Sequence, residues 1–520
     1  MKDRNSFLGV VAPPIRVFIW VMITSRFSFP ILTILGLSVL CRKNTSISIS
    51  RSMLEQNSLS RGGFFFLGGA YATSKEYTGT LLPLRYCPPF SPSIKEMLTW
   101  GFFLFCGVVW DSVHFVRIAE CGYEYEQSFA FLPLLPLSAR TISFPFPSLL
   151  SLSAYLISNL SFILAALYFH KLSLALLHHP QTALRAALLF CFNPASVFYS
   201  SIYTESLYAL ACFGGMYHFV SGANNLAVLF FALSASARSN GVLNAGYICF
   251  QTMHRAHHAL FHNNRLTLAL QIVVVGALRT TCIFAPFLAF QAYGYYNMCV
   301  GRSPEERRPW CKARIPLLYN YIQSHYWGVG FLRYFQLQQL PNFLLASPIL
   351  SLALCSVVYY AKSRPHIFFS LGFQTPMEEK SCGLVFLSDD LSRSKEARNV
   401  EKSSIRVEEH FNLRRRKNVN KGDTANVAIE SAPAVCSGYL SASVLPFVLH
   451  LGFMACSAFF VMHVQVATRF LSACPPLYWF ASYIMAYHAK GFRWGYIVWA
   501  YSIAYIFLGS LLFSNFYPFT

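Results

Sequence analysis

Long apolar runs separated by short polar breaks recur from one end of this chain to the other. Runs at 147–169, 266–296, 341–361, 440–466 and 496–513 are each long enough to cross a bilayer as a helix. Two further runs, 186–203 and 205–220, meet at the polar break SSIYTES, and 226–251 is interrupted by ARSNG. Within the last third, spans are expected near 440–462, 470–487 and 494–513. A first span or retained signal anchor is expected at 15–41, broken by Arg26 and Pro30. The run at 97–109 is short for a span and suits a re-entrant or interfacial helix. The pattern predicts an all-α polytopic membrane protein with roughly 9–11 transmembrane or re-entrant helices.

Four regions follow. Residues 1–95 are mixed, Ser-rich and poorly periodic after the first apolar run. Residues 96–375 form the membrane core, and 433–520 carry the last spans. Between them 376–432 holds a nearly balanced set of acids and bases with almost no aromatic residues, which predicts a solvated, disordered insert.

Composition agrees. Of 520 residues, 55% are hydrophobic and only 12% charged, with a mean hydropathy of +0.43. A soluble core could not bury so many separate apolar blocks. The net charge of +20 comes without a basic helix, an RNA-binding signature or zinc-finger spacing, so nucleic acid is not the expected partner. The basic residues sit in short loops, as orientation signals do. The 15 cysteines include no CxxC pair. Cys299 and Cys311 share one polar loop and could pair if it faces an oxidising lumen, although the cysteines as a set indicate no disulfide framework.

Placing the basic turns 170–185 and 253–265 and the charged insert in the cytosol sends every other polar stretch to the opposite face. Those stretches are the dense island 110–136, SSIYTES, ARSNG, the 297–340 loop and HVQVATRF. That coincidence predicts an active site on the non-cytosolic side.

The island WDSVHFVRIAECGYEYEQSFAFLPLLP carries Asp111, Glu120, Glu124 and Glu126 against Arg117. Asp111, next to Trp110 at the mouth of an apolar segment, could take a proton from an attacking hydroxyl. It could equally cap the amphipathic helix that follows, and both roles are compatible. Glu124 and Glu126 are weaker candidates for taking that proton and read more simply as solvated loop charges. Glu205, opening a run beside Tyr203, is either a favourable charge at a helix N-terminus or a partner for sugar hydroxyls, with Tyr203 as a stacking surface. Arg238, with Asn240 in ARSNG, is a cation at membrane depth that needs a partner, either a lipid-linked phosphate or one of the loop acids. Lys312, Arg314, His325, Tyr326 and Trp327 mix cations with aromatics in a pattern suited to sugars and phosphates, though interfacial aromatic belts look the same. His463, Gln465 and Arg469 repeat that ambiguity. His254, His257, His258 and His262 have helical spacing that could bind metal, but a basic cytosolic turn accounts for them more simply. No GxGxxG, Walker A, GxSxG or DxD pattern is present, so an enzyme here would use a lipid-linked donor and need no nucleotide fold.

Seven stretches occur in an order that resembles the GPI mannosyltransferase 2 (PIG-V-type) family. They are the island itself, FNPASVFYSSIYTESLYAL, ARSNGVLNAGY, PWCKARIPLLYNYIQSHYWGVGFLRYF, QLPNFLLASPIL, HVQVATRFL and the terminal NFYPFT. The resemblance implies a GT-C fold in the endoplasmic reticulum membrane, with the active site facing the lumen. It implies transfer of the second mannose, in α-1,6 linkage, from dolichyl-phosphate mannose to the glycosylphosphatidylinositol (GPI) precursor. Because that donor is β-linked, an α product means inversion, with no covalent intermediate. The resemblance makes Asp111 the base and gives cations such as Arg238 the departing phosphate. No cofactor or metal is expected, and a small membrane accessory subunit is compatible with it. Residues 42–95 fall outside the resemblance and suggest a divergent or wrongly joined exon. The rival readings are another luminal glycosyltransferase using a polyprenyl-phosphate sugar, a transporter or scramblase suggested by the interrupted spans, and a non-catalytic scaffold.

Overall fold

The computed structural model describes residues 110–301, 303, 308–376, 379–380, 385–386, 438–487 and 491–514. The expectations for 15–41, 42–95 and 97–109, and for most of the charged insert, lie outside the described residues. The described residues form helices and short 3-10 turns, with no strand among them.

Five helical segments are long and apolar enough to cross a membrane: Pro147–Leu177, Leu266–Cys299, Leu337–Ser363, Ala442–Phe460 and Arg493–Phe513. They coincide with the five runs named above as long enough to cross a bilayer. The first contains α1 (Leu150–Leu177), 28 residues long, or about 42 Å at the rise of an α-helix. It ends where His178 adopts φ 52°, and Pro180 then opens the next helix at a position where its missing N–H costs nothing.

Three expected spans take a different form. The 186–203 run is split into α2 (Pro180–Cys191) and α3 (Ser196–Ser200). Pro194 lacks the N–H that a continuous helix would need there, and it disfavours helical geometry at Asn193. Asn193 Nδ2 instead donates to the Phe190 carbonyl at 2.8 Å. The 470–487 run is split in the same way at Pro475, into a short helix Ala467–Leu471 and α4 (Pro475–Tyr487). The 205–220 run forms α5 (Glu205–Val220), bounded as expected but 16 residues long, about 24 Å and shorter than a hydrocarbon core. These short helices are wrapped by the others, so their length need not match the bilayer.

Small residues let α5 sit at the centre. Gly214 and Gly215 face the neighbouring helix Asn224–Ala237, where an added Cβ would lie 2.6 Å from the Phe230 ring or 2.5 Å from the Phe231 ring. α1, which packs along it, presents buried Ala154, Ser158, Ser161, Ala165 and Ala166. Close approach of this kind replaces the hydrophobic effect as the source of packing between helices in lipid. The core then closes on aromatic rings. Phe169 stacks on Phe213 at 4.8 Å, Phe162 on Phe190 at 5.2 Å, and buried Trp479 donates its Nε1–H to Ser173 Oγ at 2.8 Å.

α1 defines two ends of the bundle. At its start Ser158 Oγ donates to the Tyr203 carbonyl and Asn159 Nδ2 to that of Ser200. At its far end the Leu177 carbonyl accepts from the Gly438 N–H.

Candidate active site

The polar stretches that the orientation argument sends to one face do meet at one end of the bundle. The chain enters at Trp110, a bulky residue held at φ 55° whose indole N–H reaches the Phe513 carbonyl at 3.2 Å. Left-handed backbone at such a residue costs on the order of 1–3 kcal/mol and persists only where the surroundings enforce it. Here it turns the chain into the helix Asp111–Cys121. The capping expectation for Asp111 therefore gives way: Trp110 occupies the cap position, no side chain caps the helix, and Asp111 is its first residue. A carboxylate there still suits the positive end of the helix dipole.

The Asp111 backbone N–H donates to the Tyr203 hydroxyl at 3.1 Å. Burial pushes the pKa of that hydroxyl well above its ordinary value, so it stays neutral. Asp111 Oδ2 lies 3.4 Å from Arg469 Nη1, and the same nitrogen lies 3.8 Å from Glu205 Oε1. Glu205 is 2% exposed, opens α5, and accepts a close hydrogen bond from Arg238 on the same Oε1; its Oε2 is buried without a hydrogen-bond partner. Of the alternatives for Arg238 and Glu205, the structure realises an ion pair with an acid and a first-turn helix charge. Two carboxylates and two guanidinium groups thus share one patch, drawn from four separate stretches of chain.

Aromatic rings lie against both cations. The Arg469 guanidinium sits 5.1 Å from the Phe198 ring centre and 6.0 Å from that of Tyr203, and Arg238 lies 5.8 Å from the Tyr208 ring. The ARSNG break places its residues by close backbone approach: Gly241 packs so tightly on the Ser234 backbone that a Cβ has no room. Asn240 Nδ2 then donates to the Tyr208 hydroxyl at 3.1 Å, and Ser239 Oγ to that of Tyr319 at 2.7 Å.

The described residues of the 297–340 stretch form a folded cover. A disulfide joins Cys299 to Cys311, at the end of the long helix Leu266–Cys299. Glu126, expected as a solvated charge, stands at its hub with its side chain only 8% exposed. It accepts from Trp310 Nε1 at 2.6 Å and from the Tyr326 hydroxyl at 2.7 Å, with Arg308 Nε 3.6 Å away. Burial and the Glu126 carboxylate both raise the pKa of Tyr326. The aromatic residues around Glu126 were the available signal, since a carboxylate among rings and indoles can be buried by their donors. Glu124 instead forms a two-pronged pair with Arg117 at 2.7 and 3.0 Å.

His325 stacks on Tyr321 at 4.8 Å, and Trp327 meets Phe131 edge-on at 6.4 Å. His463 stacks on Tyr334 at 4.6 Å, and the Tyr334 hydroxyl donates to Gln465 Oε1 at 3.3 Å. Burial lowers the pKa of His463, opposed by its hydrogen bond with the Trp327 backbone. Trp327, His463 and Gln465 tie the cover to the HVQVATRF turn, while His325 packs within the cover; Asp111, Tyr203, Glu205, Arg238 and Arg469 form the charged patch, with Trp110 and Asn240 at its edges. Lys312 and Arg314 are exposed and are not brought to it. Among the described residues no three His, Cys, Asp or Glu side chains gather to hold a metal ion, the histidines of 254–262 included.

Residues 73–520 match the family model described as Mannosyltransferase (PIG-V), a range that begins inside the 42–95 stretch and runs across the charged insert. The chain is 32% identical over 406 residues to human GPI alpha-1,6-mannosyltransferase 2, covering 72% of each chain. It is 32% identical over 433 residues to the mouse protein of that name, covering 77% of each. With the GPI mannosyltransferase 2 of Drosophila pseudoobscura it shares 28% identity over 454 residues, covering 79% of this chain and 86% of the fly protein. No solved structure matches. A bundle of apolar helices with a polar site at one end, matched across this range, makes the protein a membrane glycosyltransferase. The chain belongs to the mannosyltransferase (PIG-V) family.

Proposed function

We propose that the protein transfers the second mannose, in α-1,6 linkage, from dolichyl-phosphate mannose to the GPI precursor. The site faces the lumen of the endoplasmic reticulum, in a GT-C arrangement. The observation that carries the reading is one partly exposed carboxylate, Asp111, 3.4 Å from the Arg469 guanidinium in a patch where Glu205 holds a second guanidinium, that of Arg238. The acceptor hydroxyl oxygen attacks C1 of the mannose, its proton passes to Asp111, and the C1–O bond to phosphate breaks. Dolichyl phosphate leaves with the electron pair, and the adjacent cations stabilise its charge. One displacement inverts β to α and needs neither a covalent intermediate nor a metal. The Cys299–Cys311 disulfide at the site end supports an oxidising compartment on that side. Glu205 lies too deep to meet a sugar hydroxyl in this arrangement and serves as the counter-ion behind the cations. A small membrane accessory subunit is compatible with the exposed helix Leu266–Cys299.

Complementation of cells lacking the second GPI mannose tests this. Wild type is expected to restore GPI-anchored surface proteins, and an expressed Asp111→Asn variant to accumulate the one-mannose precursor. Failure of well-expressed, correctly located wild type would overturn the acceptor and point to another polyprenyl-phosphate-sugar transferase. Equal rescue by Asp111→Asn would remove Asp111 as the base.

A further inference from the structure

We infer that Arg469 is the cation that receives the donor phosphate, and that the same guanidinium occupies Asp111 until the donor arrives. Donor binding then releases the base. The inference rests on the lipid-phosphate donor proposed above.

The two arginines of the patch are not equivalent. Arg238 is held close on Glu205 Oε1, a carboxylate oxygen buried away from solvent, and its guanidinium lies near the Tyr208 ring. Its position is fixed by a partner that cannot leave. Arg469 is held loosely. A single nitrogen, Nη1, is divided between Asp111 Oδ2 at 3.4 Å and Glu205 Oε1 at 3.8 Å. Both distances exceed the roughly 2.7–2.9 Å of a strong charge-assisted hydrogen bond. Among the described residues no hydrogen bond or ion pair engages its Nε or Nη2. The side chain is 21% exposed and rests against the adjoining Phe198 and Tyr203 rings, which favour a cation without fixing its donors. A guanidinium carries five N–H groups in a fork that matches phosphate oxygens. The geometry therefore leaves Arg469 with an open fork facing a site that must accept a phosphate.

The consequence reaches Asp111. As base it must accept a hydroxyl proton, yet its Oδ2 is the oxygen on which Arg469 leans. A phosphodiester taking two N–H groups of Arg469 would make shorter, better-aligned bonds than either present contact. The guanidinium then turns toward the phosphate and Oδ2 is freed. The charges of Asp111, Glu205, Arg238 and Arg469 sum to zero, so the arriving diester also adds negative charge just where a proton must be taken up. Donor and base are thus competitors for one cation, and occupancy of the donor site prepares the base. Tyr203 keeps Asp111 in place during the exchange by holding its backbone N–H.

Competition has a signature that a merely structural Arg469 would not produce. The measurement is binding of dolichyl phosphate, with no turnover, to the full-length protein in lipid nanodiscs. Removing the competing charge with Asp111→Asn is expected to tighten binding several-fold, whereas Arg469→Gln is expected to weaken it roughly tenfold or more, the order of one charged hydrogen-bond pair. In the double variant the Asp111→Asn gain should vanish. Equal or weaker binding by Asp111→Asn overturns the exchange even if Arg469→Gln fails to fold. Wild-type-like binding by a folded Arg469→Gln overturns the phosphate role. If wild type itself does not bind dolichyl phosphate, it is the donor reading that fails.

Discussion

The two ends of the helix bundle both bury charge, and they do so in opposite ways. At the end away from the site, Arg364 holds Glu379, 15 residues further on, through Nη2 at 2.5 and 2.6 Å from the two carboxylate oxygens. His254 Nε2 hydrogen-bonds the Leu371 carbonyl at 2.9 Å, and Lys380 Nζ donates to the Phe373 carbonyl at 2.9 Å. Partners there are short in distance, and two of the three are near in sequence; His254 and Leu371 lie 117 residues apart. At the site end, Arg238 reaches Glu205 across 33 residues and Arg469 reaches Asp111 across 358. The Arg469 contacts are long, and Glu205 Oε2 has no hydrogen-bond partner. One end is fastened, and the other is held in a state that a charged ligand can rearrange. Short, well-aligned contacts to charged groups hold a fold in place; long contacts at a partly open site leave charged groups able to exchange partners.

Four measurements sharpen or break that contrast. Asp111→Asn should lower mannosyl transfer by about 10²–10⁴, the range of one general base, at unchanged protein abundance; transfer to the GPI precursor in membranes reads it. Glu205→Gln strips the counter-ion from two guanidinium groups and should cost about 3–5 kcal/mol of stability, read by thermal unfolding in detergent. An unchanged unfolding temperature would mean that the patch is not held by that charge. Glu379→Gln should cost less, about 1–3 kcal/mol, and leave transfer per folded molecule untouched, since it lies at the fastened end. Loss of specific activity there would break the division between the ends.

The smallest effect concerns pH. Burial, reinforced by Lys380 and His257, lowers His254 from 6.5 to about 4, against the pull of its Leu371 hydrogen bond. The unfolded chain binds that proton first, so the contribution to stability is complete above about pH 6.5 and is lost as pH falls toward 4. The unfolding temperature should drop by a few degrees across that window, and His254→Asn should flatten the profile. An identical slope in the variant would exclude His254 as its source.

Much of the architecture was legible because hydropathy and chain-breaking residues act locally. The five long apolar runs became the five long helices, and 205–220 became α5 with those bounds. The runs 186–203 and 470–487 misled because apolar content alone does not separate a helix that faces lipid from two short ones wrapped by protein. Pro194 and Pro475 were the marks of the second case. The site was legible as a set of stretches and much less as a set of pairs. Asp111, Tyr203, Glu205, Arg238 and Arg469 converge as candidates should, yet Glu126 carries the cover and Lys312 and Arg314 stand apart.

By itself the sequence determined that this is a helical membrane protein, which stretches carry its polarity and which family it belongs to. Those properties reside in composition, local periodicity and ordered motifs, and each survives without knowledge of what packs against what. Only the tertiary structure decided which acid meets which cation, which carboxylate is buried and which guanidinium is left with open donors. Pairing energies depend on distances of a few ångströms between residues hundreds of positions apart, and those distances exist only once the helices are packed.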